Sequence, residues 1–146
     1  CALPICQLNG RPQVWWPVHC VQNSHGADFH PLLRDDLISH IIYKGQNRLI
    51  DSYSAFFDND HEYQTGLHTL LQSMQIEHLT ILGIATDYCV KFTVLDALQL
   101  GYQVSVVMDG CRGVNIQPDD SQLAFNQMQQ RGAVLVDSVT MLKSDK

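Results

Sequence analysis

Leu79-Thr80-Ile81-Leu82-Gly83-Ile84-Ala85-Thr86-Asp87-Tyr88-Cys89-Val90 is the stretch on which the fold turns. Its first six residues are a nearly all-apolar run, the pattern of a strand buried on both faces. From about Tyr88 the period changes. Val90, Val94, Ala97 and Leu98 fall on one helical stripe, and Gly101 suits the position just past a helix end. A buried strand thus passes through a short turn into a helix.

The same alternation continues outward. Val104-Ser105-Val106-Val107-Met108 reads as a strand, Ser121 to Arg131 as a helix stopped by Gly132, and Ala133-Val134-Leu135-Val136 as a last strand. Upstream, Leu67, Leu70, Leu71 and Met74 mark one face of a helix, with Thr65 as candidate N-cap. Leu37 to Tyr43 is short and rich in β-branched residues, which predicts a strand. The order β-α-β-α-β-α-β predicts an α/β fold with a parallel sheet. Right-handed crossovers place the strand C-terminal ends on one edge, where ligands bind. Residues 1–36 do not share this rhythm and read as a long ordered loop, a feature that compact domains usually keep for function.

The composition agrees with one domain over residues 1–146. With 45% hydrophobic and 16% charged residues the chain can bury a core. A net charge of -6 gives no attraction to nucleic acid. No apolar run approaches the roughly 20 residues of a membrane helix, and the start lacks the pattern of a signal peptide. The five cysteines form no CxxC pair, so reduced thiols in a cytoplasmic protein are the simpler reading.

Cys89, at a helix start after a strand, is the strongest candidate for chemistry. Free N–H groups and the partial positive charge there favour a thiolate and can hold an oxyanion. A small buried residue packing helix on sheet fits the position equally well. Lys44, after the predicted strand, could lower a nearby thiol's pKa by its charge, or simply be a solvated lysine. His19, in Trp15-Trp16-Pro17-Val18-His19-Cys20, is a lone donor where a closed metal site needs about three or four. Cys20 and Cys111 read as packing thiols.

Four stretches carry a resemblance: Trp16-Pro17-Val18-His19-Cys20; Lys44-Gly45 with Asp51-Ser52-Tyr53-Ser54-Ala55-Phe56; Gly83 through Val90; and Asp109-Gly110-Cys111-Arg112-Gly113. Together they resemble the isochorismatase-like cysteine hydrolases, and within them the nicotinamidase (pyrazinamidase) branch. The resemblance implies a Rossmann-like, three-layer α/β fold with helices on both faces of the parallel sheet. It implies hydrolysis of nicotinamide and pyrazinamide to the acid and ammonia, in NAD salvage. Cys89 would form a thioester, Lys44 would stabilise its thiolate, and the N–H groups of Ala85 and Cys89 would form the oxyanion hole. The Ile84–Ala85 peptide should be cis. His19 would be a ligand of a divalent metal (zinc, iron or manganese) that holds the substrate's ring nitrogen, and Trp16 and Tyr53 would wall the ring. The partner is a small molecule, not nucleic acid or membrane, and a homo-oligomer is left open.

The family's D-x-Q-N-D-F-like and D-W-H-like stretches do not occur. The chain is therefore read as truncated at its N-terminus. It would lack the first two strands, the triad aspartate and most of the metal ligands, and be inactive alone. A non-catalytic remnant and another amidase of the superfamily are the rival readings.

Overall fold

The computed structural model describes residues 5–8 and 10–144. The chain divides into two compact units, Cys1–Ile41 and Ile42–Lys146.

In the first unit, β1 (Ile5–Leu8) and β2 (Arg11–Val14) form an antiparallel hairpin, with Ile5 opposite Val14 and Leu8 opposite Arg11. The reading of residues 1–36 as loop throughout is corrected here. The dipeptide Asn9-Gly10 is a common two-residue hairpin signal, and Gly10 has a φ of 78°. The rest of the unit is irregular, with 3-10 turns at His25–Ala27 and Asp35–Leu37.

The predicted strand at Leu37–Tyr43, most of which lies in the first unit, does not form. Its start lies in the 3-10 turn, and the residues after it are irregular, with Ile41 and Tyr43 exposed. β-branched composition favours a strand only where a neighbour supplies ladder hydrogen bonds, and no described strand pairs with this segment.

The elements downstream follow the predicted order. α1 (Leu67–Ser73) starts after Gly66, and the Thr65 hydroxyl accepts the Leu67 N–H at 3.2 Å. Then come β3 (His78–Ile84), α2 (Lys91–Gln99), β4 (Gln103–Arg112), α3 (Asp120–Gln130), β5 (Val134–Val136) and α4 (Ser138–Ser144). The strands form one parallel sheet in the order β3-β4-β5. Right-handed crossovers in that order put α2 and α3 on one face, and these helices touch each other. Between them and the sheet lies the core: Val94 and Ala97 of α2, Val104 and Val106 of β4, and Ala124 and Met128 of α3, with Phe56 and Tyr102.

Burial along β3 is one-sided. Leu79 and Ile81 pack on the core, whereas Leu82 and Ile84 are 58% and 75% exposed. The all-apolar run predicts two buried faces. Among the described residues, however, β3 pairs only with β4, so it stands at the sheet edge. β4 runs past its predicted end through Asp109-Gly110-Cys111-Arg112, with a register shift opposite Ile81 and Gly83. Gly110 sits there because a Cβ would lie 3.0 Å from the Leu82 side chain.

Candidate active site at the end of strand three

The C-terminal ends of the parallel strands share one edge of the sheet, and the turn carrying Cys89 leaves from that edge. β3 ends at Ile84, the Ile84–Ala85 peptide is cis as the resemblance implies, and Thr86–Val90 forms a π-helical turn before α2. The Ala85 carbonyl accepts the Tyr88 and Val90 N–H groups at 3.1 and 3.0 Å. An α-helix starting near Tyr88 is the expectation from spacing; the wider turn replaces its first residues. Such π turns recur at functional sites. Cys89 is half-buried there.

The segment Asp51–Phe56 is fastened onto this turn through Thr93, one helical turn after Cys89. The Thr93 hydroxyl donates to the Cys89 carbonyl at 2.6 Å and accepts the Ala55 N–H at 2.9 Å. Sequence reading passed over Thr93. Its signal is the spacing, since a helical threonine readily bonds the carbonyl four residues back. Phe56, 2% exposed and stacked on Tyr102 with ring centroids 5.9 Å apart, anchors the segment in the core. Thr65 donates to the Ala55 carbonyl at 2.6 Å.

This fastening brings three rings together beside the cysteine. The Tyr53 ring lies edge-on to Tyr88 and tilted against Phe92, each with centroids 5.4 Å apart. Lys91 stands over Phe92. Burial, followed by the charges of Asp87, Tyr53 and Asp120, pushes the Tyr88 phenol above its ordinary range, so it stays a neutral hydroxyl. The Lys44 ammonium donates to the Ser52 carbonyl at 2.5 Å, next to Tyr53 in the chain. No hydrogen bond joins Lys44 to Cys89 among the described residues.

Cys111 is 4% exposed on β4 and donates to the Val107 carbonyl at 3.3 Å. Burial pushes its thiol up, away from the thiolate a nucleophile needs.

Trp16 and His19 belong to the other unit. Trp16 is half-buried and His19 exposed. The His19 Nδ1 lies 2.5 Å from the Pro17 carbonyl. Since a carbonyl only accepts, that nitrogen is the donor in this contact.

The isochorismatase domain family matches residues 6–139. The chain belongs to the isochorismatase family. Within that family it is 60% identical over 129 residues to the nicotinamidase of Escherichia coli (strain K12), covering 88% of this chain and 61% of that protein. It therefore spans about three fifths of the length of that curated relative. The solved nicotinamidase/pyrazinamidase of Acinetobacter baumanii superposes with a TM-score of 0.89 at 39% identity, over 96% of this chain and 67% of that one. A Pyrococcus horikoshii pyrazinamidase solved in complex with zinc gives a TM-score of 0.71 at 36% identity, over 85% and 64%.

A metal centre of the kind seen in that zinc complex finds little here to hold it. His19 offers one nitrogen donor with its other ring nitrogen anchored, but no group of three or more His, Cys, Asp or Glu residues converges among the described residues. This is short of a metal-binding set. The described residues also contain no helix long and apolar enough to cross a membrane.

Proposed function

We propose that this chain carries the nucleophile of a nicotinamidase, an amidohydrolase that converts nicotinamide and pyrazinamide to the acid and ammonia. The observation behind this reading is the place of Cys89. It sits in a turn at the ligand-binding edge of a parallel sheet, buttressed by Thr93 and beside the Tyr53, Tyr88 and Phe92 rings. Identity of 60% to a nicotinamidase supports the choice of amide.

In this reading the Cys89 thiolate attacks the carboxamide carbon. The carbon–nitrogen bond breaks, the nitrogen leaves as ammonia after taking a proton, and a thioester remains. Water adds to the thioester, the carbon–sulfur bond breaks, and the acid and the thiol are released. The Ala85 and Cys89 N–H groups are the proposed donors to the developing oxyanion. Lys44 is proposed to favour the thiolate by its positive charge, and its bond to the Ser52 carbonyl ties it to the segment carrying Tyr53. Trp16 and Tyr53 are the proposed walls for the aromatic ring. His19 is proposed as one ligand of a divalent metal, zinc, iron or manganese, and no step is drawn through that metal. We assign the proposed reaction to NAD salvage in the cytoplasm, with a small molecule as the partner.

Cys89→Ala in the natural full-length protein tests the reading. Ammonia release from nicotinamide is expected to disappear while the thermal melt stays cooperative. Cys20→Ala and Cys111→Ala are expected to keep most turnover. Normal ammonia release by the Cys89 variant would overturn the assignment.

A further inference from the structure

Asp87 lies two residues before Cys89 and is only 4% exposed. A buried carboxylate so close to a thiol is a poor neighbour for a thiolate, because like charges disfavour ionisation. Its hydrogen bonds give it another use. Its two oxygens accept successive backbone N–H groups, from Val114 at 2.9 Å and from Asn115 at 2.8 Å. These residues follow β4, at the same edge of the sheet as the cysteine turn.

The loop is held from its other side as well. Asn115 adopts a φ of 52°, and its side-chain oxygen accepts the Ser121 N–H at 3.0 Å and the Ser121 hydroxyl at 2.7 Å. Ser121 is in the first turn of α3. Gly113 is what lets the chain pass so close: a Cβ there would lie 1.9 Å from the Ser121 hydroxyl oxygen, an overlap no side chain can keep. One knot therefore joins the cysteine turn, the loop at Gly113–Asn115 and the start of α3.

We propose that Asp87 is a positioning residue for Cys89, its carboxylate clamping the Gly113–Asn115 loop against the turn that carries the nucleophile. The proposal rests on the reading of Cys89 as nucleophile. It also assigns Gly113, at the end of the Asp109–Gly113 stretch, the task of allowing the clamp to close. A single carboxamide oxygen cannot replace two carboxylate oxygens that each accept an N–H. The other side-chain group of an asparagine is itself a donor, so Asp87→Asn leaves one loop N–H unpaired.

The test uses the natural full-length protein, with kcat and KM for nicotinamide and amide hydrogen exchange of residues 113–117. For Asp87→Asn the expected result is a kcat lower by about 10²-fold, as for a nucleophile displaced by about an ångström. KM is expected to change by less than about threefold, because ring binding is left alone. Exchange in 113–117 is expected to rise by at least about tenfold while the core helices stay protected. Ser121→Ala loosens the far end of the knot without touching the Asp87 charge. It is expected to lower kcat by about 3–10-fold, the loss of one hydrogen bond, with faster exchange in the same segment. A kcat for Asp87→Asn within about twofold of the parent, a loss carried wholly by KM, or unchanged exchange in 113–117 would overturn the proposal. If Asp87→Asn does not fold, Ser121→Ala decides alone, and parent-like kcat and exchange there would overturn it. Full turnover by Cys89→Ala would instead sink the nucleophile reading, while the exchange data would still decide whether the clamp exists.

Discussion

His19 shows how much a single hydrogen bond settles. By donating through Nδ1 to the Pro17 carbonyl, the ring is held at one nitrogen, which leaves Nε2 as the nitrogen for a metal. Metal-bound histidines almost always have their second ring nitrogen held in this way. If His19 is a ligand, His19→Ala should weaken Zn2+ binding by the natural protein by at least about tenfold, as titration calorimetry would measure. Unchanged affinity would remove His19 from the ligand set. The choice among cysteines is likewise made by surroundings and not by residue type. Cys111 is sealed in the core with its thiol pushed up, while Cys89 stands half-buried in a turn at the sheet edge.

At the scale of elements, the helices with a clear apolar stripe were legible in the sequence. Val90, Val94 and Ala97 are all buried, and Gly101, with a φ of 93°, ends α2 as expected. Met128 of α3 is fully buried between α2 and the sheet. Met128→Ala is therefore expected to lower stability by about 2–5 kcal/mol in denaturant titration, through lost burial and the cavity left behind. A loss below about 1 kcal/mol would mean that the core relaxes around the site. α4 was not foreseen, although a local cap precedes it: Asp137 accepts the Thr140 N–H at 2.7 Å and the Thr140 hydroxyl at 3.0 Å. Asp109 accepts the Ser138 N–H at 2.8 Å and the Ser138 hydroxyl at 2.5 Å. Those bonds hold the Asp109 carboxyl below the usual carboxylate range. Because the folded value is depressed, the Asp109–Ser138 tether contributes above the ordinary carboxylate range and is lost as pH falls through the folded value.

For residues 1–146 taken together, the outer edge of β3 bears most on stability. Among the described residues its outer edge has no partner strand, and Leu82 and Ile84 are exposed along it. Unpaired, apolar strand edges invite association with other chains. Native stability is only about 5–15 kcal/mol, which leaves little margin for large apolar side chains left in water. Residues 1–146 expressed alone are therefore expected to be poorly stable and to release no measurable ammonia from nicotinamide. The chemical part of the reason is that a positioned acid/base supplies about 10²–10⁴ in rate, and no described carboxylate is assigned that task. Asp87, the acid nearest to Cys89 in sequence, is committed to the Val114 and Asn115 N–H groups. A soluble monomer with a cooperative melt and turnover near that of ordinary family members would show this expectation to be wrong.

What the sequence determined by itself was local: the order of strands and helices from β3 onward, the strand-to-helix turn around Cys89, and the motifs that carry family membership. Periodicity and short motifs depend on neighbours along the chain, so they can be read without coordinates. Only the tertiary structure decided the rest. Among the described residues it left Leu37–Tyr43 without a strand partner and β3 paired only with β4. It also brought Thr93 to Ala55, Tyr53 to Tyr88, and Asp87 to Asn115 across 28 positions of sequence. A ladder bond, a ring contact or a clamped loop needs two distant segments to meet at a few ångströms. Where they meet is set by how helices pack on a sheet, which no single stretch of sequence records.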